Sequence, residues 1–131
     1  MKIIILLRNT ILHYKYRNVK KDKNIWVFGA IRGQKYMDNS KYLFEYVCNN
    51  TNIKAVWLTS NQKVIELLKE KNLPVFHMDS KEGLTFASKA KVAIITHRGN
   101  NQSADLPYYA FNINTKIVQL WHGIPLKKIG F

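Results

Sequence analysis

Short, continuously apolar runs alternate along this chain with segments of helical periodicity, and that alternation constrains the fold more than any other feature. The runs are Ile25-Trp26-Val27-Phe28, Ala55-Val56-Trp57-Leu58, Leu73-Pro74-Val75-Phe76, Val92-Ala93-Ile94-Ile95 and Ile117-Val118-Gln119-Leu120. Strands that are apolar on both faces belong to a sheet covered on both sides, which in practice is a parallel one. Between them, Ser40 to Val47 predicts a helix capped by Asn39 or Ser40, with Tyr42, Leu43, Tyr46 and Val47 on one face. A second helix begins at Ser60 or Asn61 with Val64, Ile65, Leu67 and Leu68 inward, and a third runs from Ser80 to Ala87 or Ser88. The expectation is an α/β, Rossmann-like domain of about five parallel strands over residues 24–131. Residues 1–23 form a basic amphipathic helix and a linker.

Composition narrows the partners. The 131 residues carry a formal charge of +13, which favours an anionic partner: nucleic acid, a membrane surface or a phosphate-rich substrate. Residues 1–23 hold Lys2, Arg8, Lys15, Arg17, Lys20, Lys21 and Lys23 against Asp22 alone. In the same segment Ile3, Leu6, Leu7, Ile11, Leu12 and Tyr14 make an apolar helical face. It is too short to span a bilayer, and no small-residue cleavage site follows it. Two readings fit: a helix lying on an anionic membrane surface, or one packed on the domain with its basic residues in water. The single cysteine, Cys48, excludes an internal disulfide framework and reads as a core thiol in a reducing compartment. No His, Asp or Glu cluster has metal-ligand spacing, so no metal is expected. Trp26 and Trp57 fall within the buried strands, and no nucleic-acid-binding motif appears, so nucleic acid is not the expected partner.

In a parallel sheet all carboxyl ends share one edge, where ligands bind. Three segments meet there: Gly29 to Asn39 after the first run, Thr96-His97-Arg98-Gly99 after the fourth and His122-Gly123 after the fifth. Two histidines and two arginines, Arg32 and Arg98, thus reach one crevice, a set able to bind phosphate and move protons. Gly29 and Gly33 are spaced Gly-x-x-x-Gly, and Thr59 stands where a ribose-binding acid is expected, so a nicotinamide cofactor is disfavoured. There is no Gly-Lys-Ser/Thr phosphate loop. His77 reads as structural or exposed, His13 as a surface residue, and Glu45, Glu66, Glu70 and Glu82 as solvated helix charges. The stretch from Arg98 to Thr115 reads as a long functional loop.

These residues carry a resemblance. The segments Gly33-Gln34-Lys35-Tyr36-Met37-Asp38-Asn39-Ser40, Ala55-Val56-Trp57-Leu58-Thr59, Ala90 to His97 and, most specifically, Trp121-His122-Gly123-Ile124-Pro125-Leu126-Lys127-Lys128 occur in order. Over roughly residues 24–131 the chain resembles the CDP-glycerol glycerophosphotransferases of teichoic acid synthesis. The resemblance implies one half of a two-domain, GT-B-like enzyme that moves glycerol phosphate from CDP-glycerol to a polyprenyl-linked acceptor at the inner membrane face. It implies His122 as the catalytic base. Gly33, Asp38, Asn39, His97, Trp121, Gly123, Pro125, Lys127 and Lys128 are the expected substrate-binding positions. Lys2, Arg8, Lys15, Arg17, Lys20 and Lys21 are the expected contacts to an anionic membrane.

No cofactor is implied beyond the donor substrate, which the family binds mainly through a second domain; the expectation here is a fragment without that domain. The expectation is therefore a chain inactive alone, with a separately encoded C-terminal half as a candidate partner. The alternative is a non-catalytic membrane-surface or interaction module that retains the fold.

Overall fold

The structure, a computed structural model, describes residues 2–96 and 105–120. Among the described residues five strands, β1 (Asp22–Phe28), β2 (Lys54–Thr59), β3 (Val75–His77), β4 (Ala90–Ile95) and β5 (Lys116–Gln119), form one sheet. Their order is β3-β2-β1-β4-β5, and every neighbouring pair is parallel. The winding reverses between β1 and β4, which makes that carboxyl-edge crevice the switch point of a doubly wound sheet.

The apolar runs are continuous because successive side chains enter different cores. Val27, Val56 and Ile95 join Leu84, Ala87, Leu106 and Phe111 on one face. Phe28, Trp57 and Ile94 join Phe44, Ile65 and Leu68 on the other. Trp57 is fully buried, edge-on to Phe44 at 5.4 Å and to Tyr36 at 4.8 Å between centroids.

Among the described residues four α-helices accompany the sheet: α1 (Lys2–Tyr16), α2 (Asp38–Asn50), α3 (Gln62–Glu70) and α4 (Lys81–Lys89). Asn61 caps α3 by accepting from the Lys63 amide, and Ser80 caps α4 by accepting from the Gly83 amide. Gly83 is required there, since a Cβ would stand 2.2 Å from the His77 carbonyl oxygen.

Several expected boundaries move. β1 begins at Asp22 rather than Ile25, because Asp22 pairs with Ala90 across a register irregularity. The third strand is Val75–His77 and omits Leu73 and Pro74. The helix expected from Ser40 begins at Asp38, after Met37, with no side-chain cap. Neither expected cap residue caps it: Ser40 is fully buried, its hydroxyl without a hydrogen-bond partner, and Asn39 bonds across the domain. Leu67, expected inward, is 40% exposed, so α3 packs through Val64, Ile65 and Leu68 alone. Glu45 is no free surface charge, because it accepts the Tyr36 hydroxyl proton at 2.8 Å.

Helix α1 docks at its C-terminal end, where Tyr16 packs against the core that holds Phe111. Farther along, Arg8 lies 3.9 Å from Asp79, an exposed pair worth little in stability. Ile3, Ile4, Leu6, Leu7, Ile11 and Tyr14 are all exposed, Ile3 at 73%. These six side chains of the helix thus face solvent. No described helix is long and apolar enough to cross a membrane.

Lys21 departs from its basic neighbours. Its Nζ donates to the Ser88 carbonyl at 2.6 Å, at the end of α4. Burial, and then the nearby Lys91, lower its pKa to about 8. A lysine pKa lower in the folded than in the unfolded state means that the unfolded chain binds more protons between pH 8 and the ordinary lysine value of 10.5. Stability should therefore rise with pH through that window relative to a Lys21→Met variant. Urea midpoints for both proteins at pH 7.5 and 10 test this, and parallel midpoints would refute it.

Candidate functional site

The carboxyl edge is assembled around one buried carboxylate. After β1 the chain passes Gly29, whose amide donates to the Ile94 carbonyl at 3.0 Å. A side chain at Gly29 would come within 2.6 Å of the Asp105 carbonyl oxygen, so the two backbones meet here only because this residue is glycine. The chain then makes a tight turn over Ile31–Gly33 in which Ile31, Arg32 and Gly33 have φ of 46°, 57° and 73°. Such angles are strained for Ile31 and Arg32, and strain of this kind persists only where surroundings enforce it.

Asp105 supplies the enforcement. It is fully buried, and its Oδ1 accepts the Arg32 amide at 2.7 Å. Its Oδ2 accepts both the Thr96 amide, at 2.9 Å, and the Thr96 hydroxyl, at 3.0 Å. One side chain thus ties the turn after β1 to the end of β4. The remaining amides of the turn also point inward, Gly33 to the Ala30 carbonyl and Gln34 to the Ile31 carbonyl, both within 3.0 Å. The turn therefore offers no row of free N–H groups to a phosphate; its backbone is spent on its own shape.

Gly33, expected at the substrate, is buried and works as a joint. Its carbonyl accepts from the Ser60 amide at 2.8 Å and the Thr59 hydroxyl at 2.7 Å. Tyr36 then folds onto Trp57 and donates its hydroxyl to Glu45. Burial, reinforced by Glu45, holds its phenol far above the ordinary tyrosine range. Tyr36 is thus a packed donor with no proton to give at neutral pH. Burial, with Glu45 nearby, also raises the half-buried Cys48 thiol, which keeps it unreactive. His77 accepts the Asp79 amide through Nδ1 at 3.0 Å, in keeping with a structural role.

Asp38 and Asn39 open α2 at this same edge. Asp38 has φ of 65°, and Asn39 donates its side-chain amide to the Leu120 carbonyl at 3.1 Å. Leu120 follows β5, and its own amide donates to the Ile95 carbonyl at 2.8 Å. The structure thus joins Asn39, with Asp38 before it in sequence, to the end of β5, while the Gly33 carbonyl is tied to the end of β2. His97, Trp121, His122, Gly123, Pro125, Lys127 and Lys128 lie outside the described residues; they follow those two strand ends in sequence. Arg8, Lys15, Arg17 and Lys20 are exposed on or just after α1. Lys2 lies at the start of that helix, whereas Lys21 turns inward to Ser88. Among the described residues no three His, Cys, Asp or Glu side chains gather as a metal site.

Sequence reasoning missed Asp105. The available signal was weak: one acidic residue against Leu106-Pro107 in an Asn-rich stretch, with partners 9 and 73 residues away.

Comparison with known proteins places this edge in context. Residues 11–131 match the family model of CDP-glycerol:poly(glycerophosphate) glycerophosphotransferases. The chain belongs to this family. A teichoic acid glycerol-phosphate transferase of Staphylococcus aureus is 30% identical over 118 residues, covering 89% of this chain and 28% of that protein. A teichoic acid poly(glycerol phosphate) polymerase of Staphylococcus epidermidis is 25% identical, covering 99% of the chain and 18% of the relative. Among solved structures, the wall teichoic acid polymerase TagF, as a variant soaked with CDPG, superposes with a TM-score of 0.64 at 23% identity. That match covers 96% of this chain and 30% of TagF. The family member described here therefore spans under a third of the length of these relatives and shares the TagF fold over that span.

Proposed function

We propose that this chain forms the acceptor-side half of a glycerophosphotransferase that transfers glycerol phosphate from CDP-glycerol to a polyprenyl-linked acceptor. The observation that carries this reading is the carboxyl edge. There, β5 is held at Leu120 by both β4 and α2, immediately before the Trp121-His122-Gly123 segment. His122 takes the proton of the acceptor hydroxyl. The hydroxyl oxygen attacks the glycerol-bearing phosphorus of CDP-glycerol, the P–O bond to CMP breaks, and CMP leaves. An imidazole is the side chain best suited to that base role at neutral pH. Lys127 and Lys128 meet phosphate charge, and Asp38, Asn39, His97, Trp121, Gly123 and Pro125 line the acceptor side, while Gly33 serves as the joint of the turn after β1. The donor is held mainly by a second, facing half, and no other cofactor takes part.

The exposed apolar face of α1, with Arg8, Lys15, Arg17 and Lys20 exposed beside it, supports docking on the anionic cytoplasmic face of the membrane, where a lipid-linked acceptor resides. Lys21 takes no part in that contact, because its ammonium is turned to Ser88.

CMP release from CDP-glycerol with a lipid-linked acceptor analogue tests the reading. The chain is assayed alone and mixed with the donor-binding half of a relative. Release is expected only from the mixture. No release from the mixture would overturn the proposal in favour of a non-catalytic membrane-surface module.

A further inference from the structure

Arg32 holds a position that the backbone reserves for glycine. Its φ is 57°, between Ile31 at 46° and Gly33 at 73°. A left-handed conformation suits glycine and strains any residue with a Cβ, yet the middle of this turn carries an arginine. Asp105 maintains the strain: its Oδ1 accepts the Arg32 amide at 2.7 Å, and its Oδ2 is fastened to Thr96 at the end of β4. One carboxylate thus fixes Arg32 at the junction of β1 and β4, the switch point where sheets of this kind bind ligands. Strain stored at such a place is a mark of a ligand clamp.

The guanidinium is left unused. Arg32 is exposed, and its side chain makes no hydrogen bond or ion pair with another described residue. Asp105 takes its amide and not its guanidinium. The Gly33 and Gln34 amides close the turn on itself, so what the turn has for an anion is the cation of Arg32.

We propose that Arg32 binds a phosphate group of a substrate, held at the switch point by the turn that Asp105 enforces. This rests on the transferase reading of the carboxyl edge. Arginine suits the task because its planar, permanently charged fork meets two phosphate oxygens at once. That phosphate belongs either to the diphosphate of CDP-glycerol or to the lipid-linked acceptor, and kinetics separate the two.

In the first arm, CMP release is measured for Arg32→Ala and Arg32→Lys, each complemented with a saturating donor-binding half. Losing hydrogen bonds to a charged group should lower kcat/KM by about tenfold to 100-fold in Arg32→Ala. Arg32→Lys, which keeps the charge without the fork, should fall between. A loss confined to CDP-glycerol assigns the donor diphosphate, and one confined to the acceptor assigns the acceptor phosphate. A loss for both assigns the phosphoryl group in transfer. Unchanged kcat/KM for both substrates would overturn the proposal. Arg32→Gly separates binding from folding: it relieves the strained φ, so its urea midpoint should be no lower than that of wild type while its kcat/KM falls as far as in Arg32→Ala. An Arg32→Gly protein with wild-type kcat/KM would mean that the residue serves the turn alone.

The second arm needs no activity. In NMR spectra of the chain, inorganic pyrophosphate should shift the Arg32 Nε–H signal saturably, and chloride at equal ionic strength should not. Equal responses to the two salts would overturn the phosphate contact. If the complemented wild-type protein releases no CMP, the transferase reading fails, and the pyrophosphate titration still decides whether Arg32 binds phosphate.

Discussion

Asp105→Ala is expected to destabilise the domain by about 3 kcal/mol, the largest single-residue stability effect proposed for this chain. The substitution removes a fully buried acceptor of three hydrogen bonds from described residues and leaves the Arg32 and Thr96 amides facing an apolar side chain. An unsatisfied buried donor costs about 1–3 kcal/mol, and two are created. Part of that is recovered because a carboxylate no longer has to be desolvated, which places the sum near the middle of the range. The turn over Ile31–Gly33 also loses the contact that holds Arg32 at φ 57°. Asp105→Asn should fall between, since its amide keeps one acceptor but presents N–H to a donor. For a domain whose total stability is about 5–15 kcal/mol, the alanine change is severe. A lowered urea midpoint with an unchanged m-value would show it. A loss under about 1 kcal/mol would mean that the turn is held by other contacts.

The architecture was legible in the sequence because burial on both faces leaves a strong mark. Val27 and Phe28 enter opposite cores, as do Val56 and Trp57, so the apolar runs are unbroken and point to a covered parallel sheet. Caps that act locally were legible as well: Asn61 and Ser80 stand where a short polar residue precedes a periodic run. What could not be read were side chains whose partners lie far along the chain. Asn39 has the composition of a cap and the function of a cross-domain tie. Asp105 looks like any loop acid, yet it joins two strand ends. Lys21 belongs by sequence to a basic run but by geometry to the end of α4. Glu45 fits a solvated helix face until Tyr36 reaches it. The basic helix is a different case. Its amphipathic pattern allowed either a packed or an open face, and only the fold shows Ile3, Leu6, Leu7, Ile11 and Tyr14 left open.

The account turns on His122. It follows a strand end held by two separate hydrogen bonds, and its segment Trp121 to Lys128 lies within the region that matches the glycerophosphotransferase family. A side chain that accepts a proton in the transition state contributes about 100-fold to 10,000-fold. His122→Ala should remove that factor from kcat while leaving KM and folding nearly unchanged, since an interaction made only in the transition state does not hold the ground state. The decisive measurement is therefore the initial rate of CMP release by wild-type and His122→Ala protein, each complemented with the same donor-binding half and each shown to be folded. The account predicts a loss of about 100-fold or more. A variant that releases CMP at the wild-type rate would contradict it.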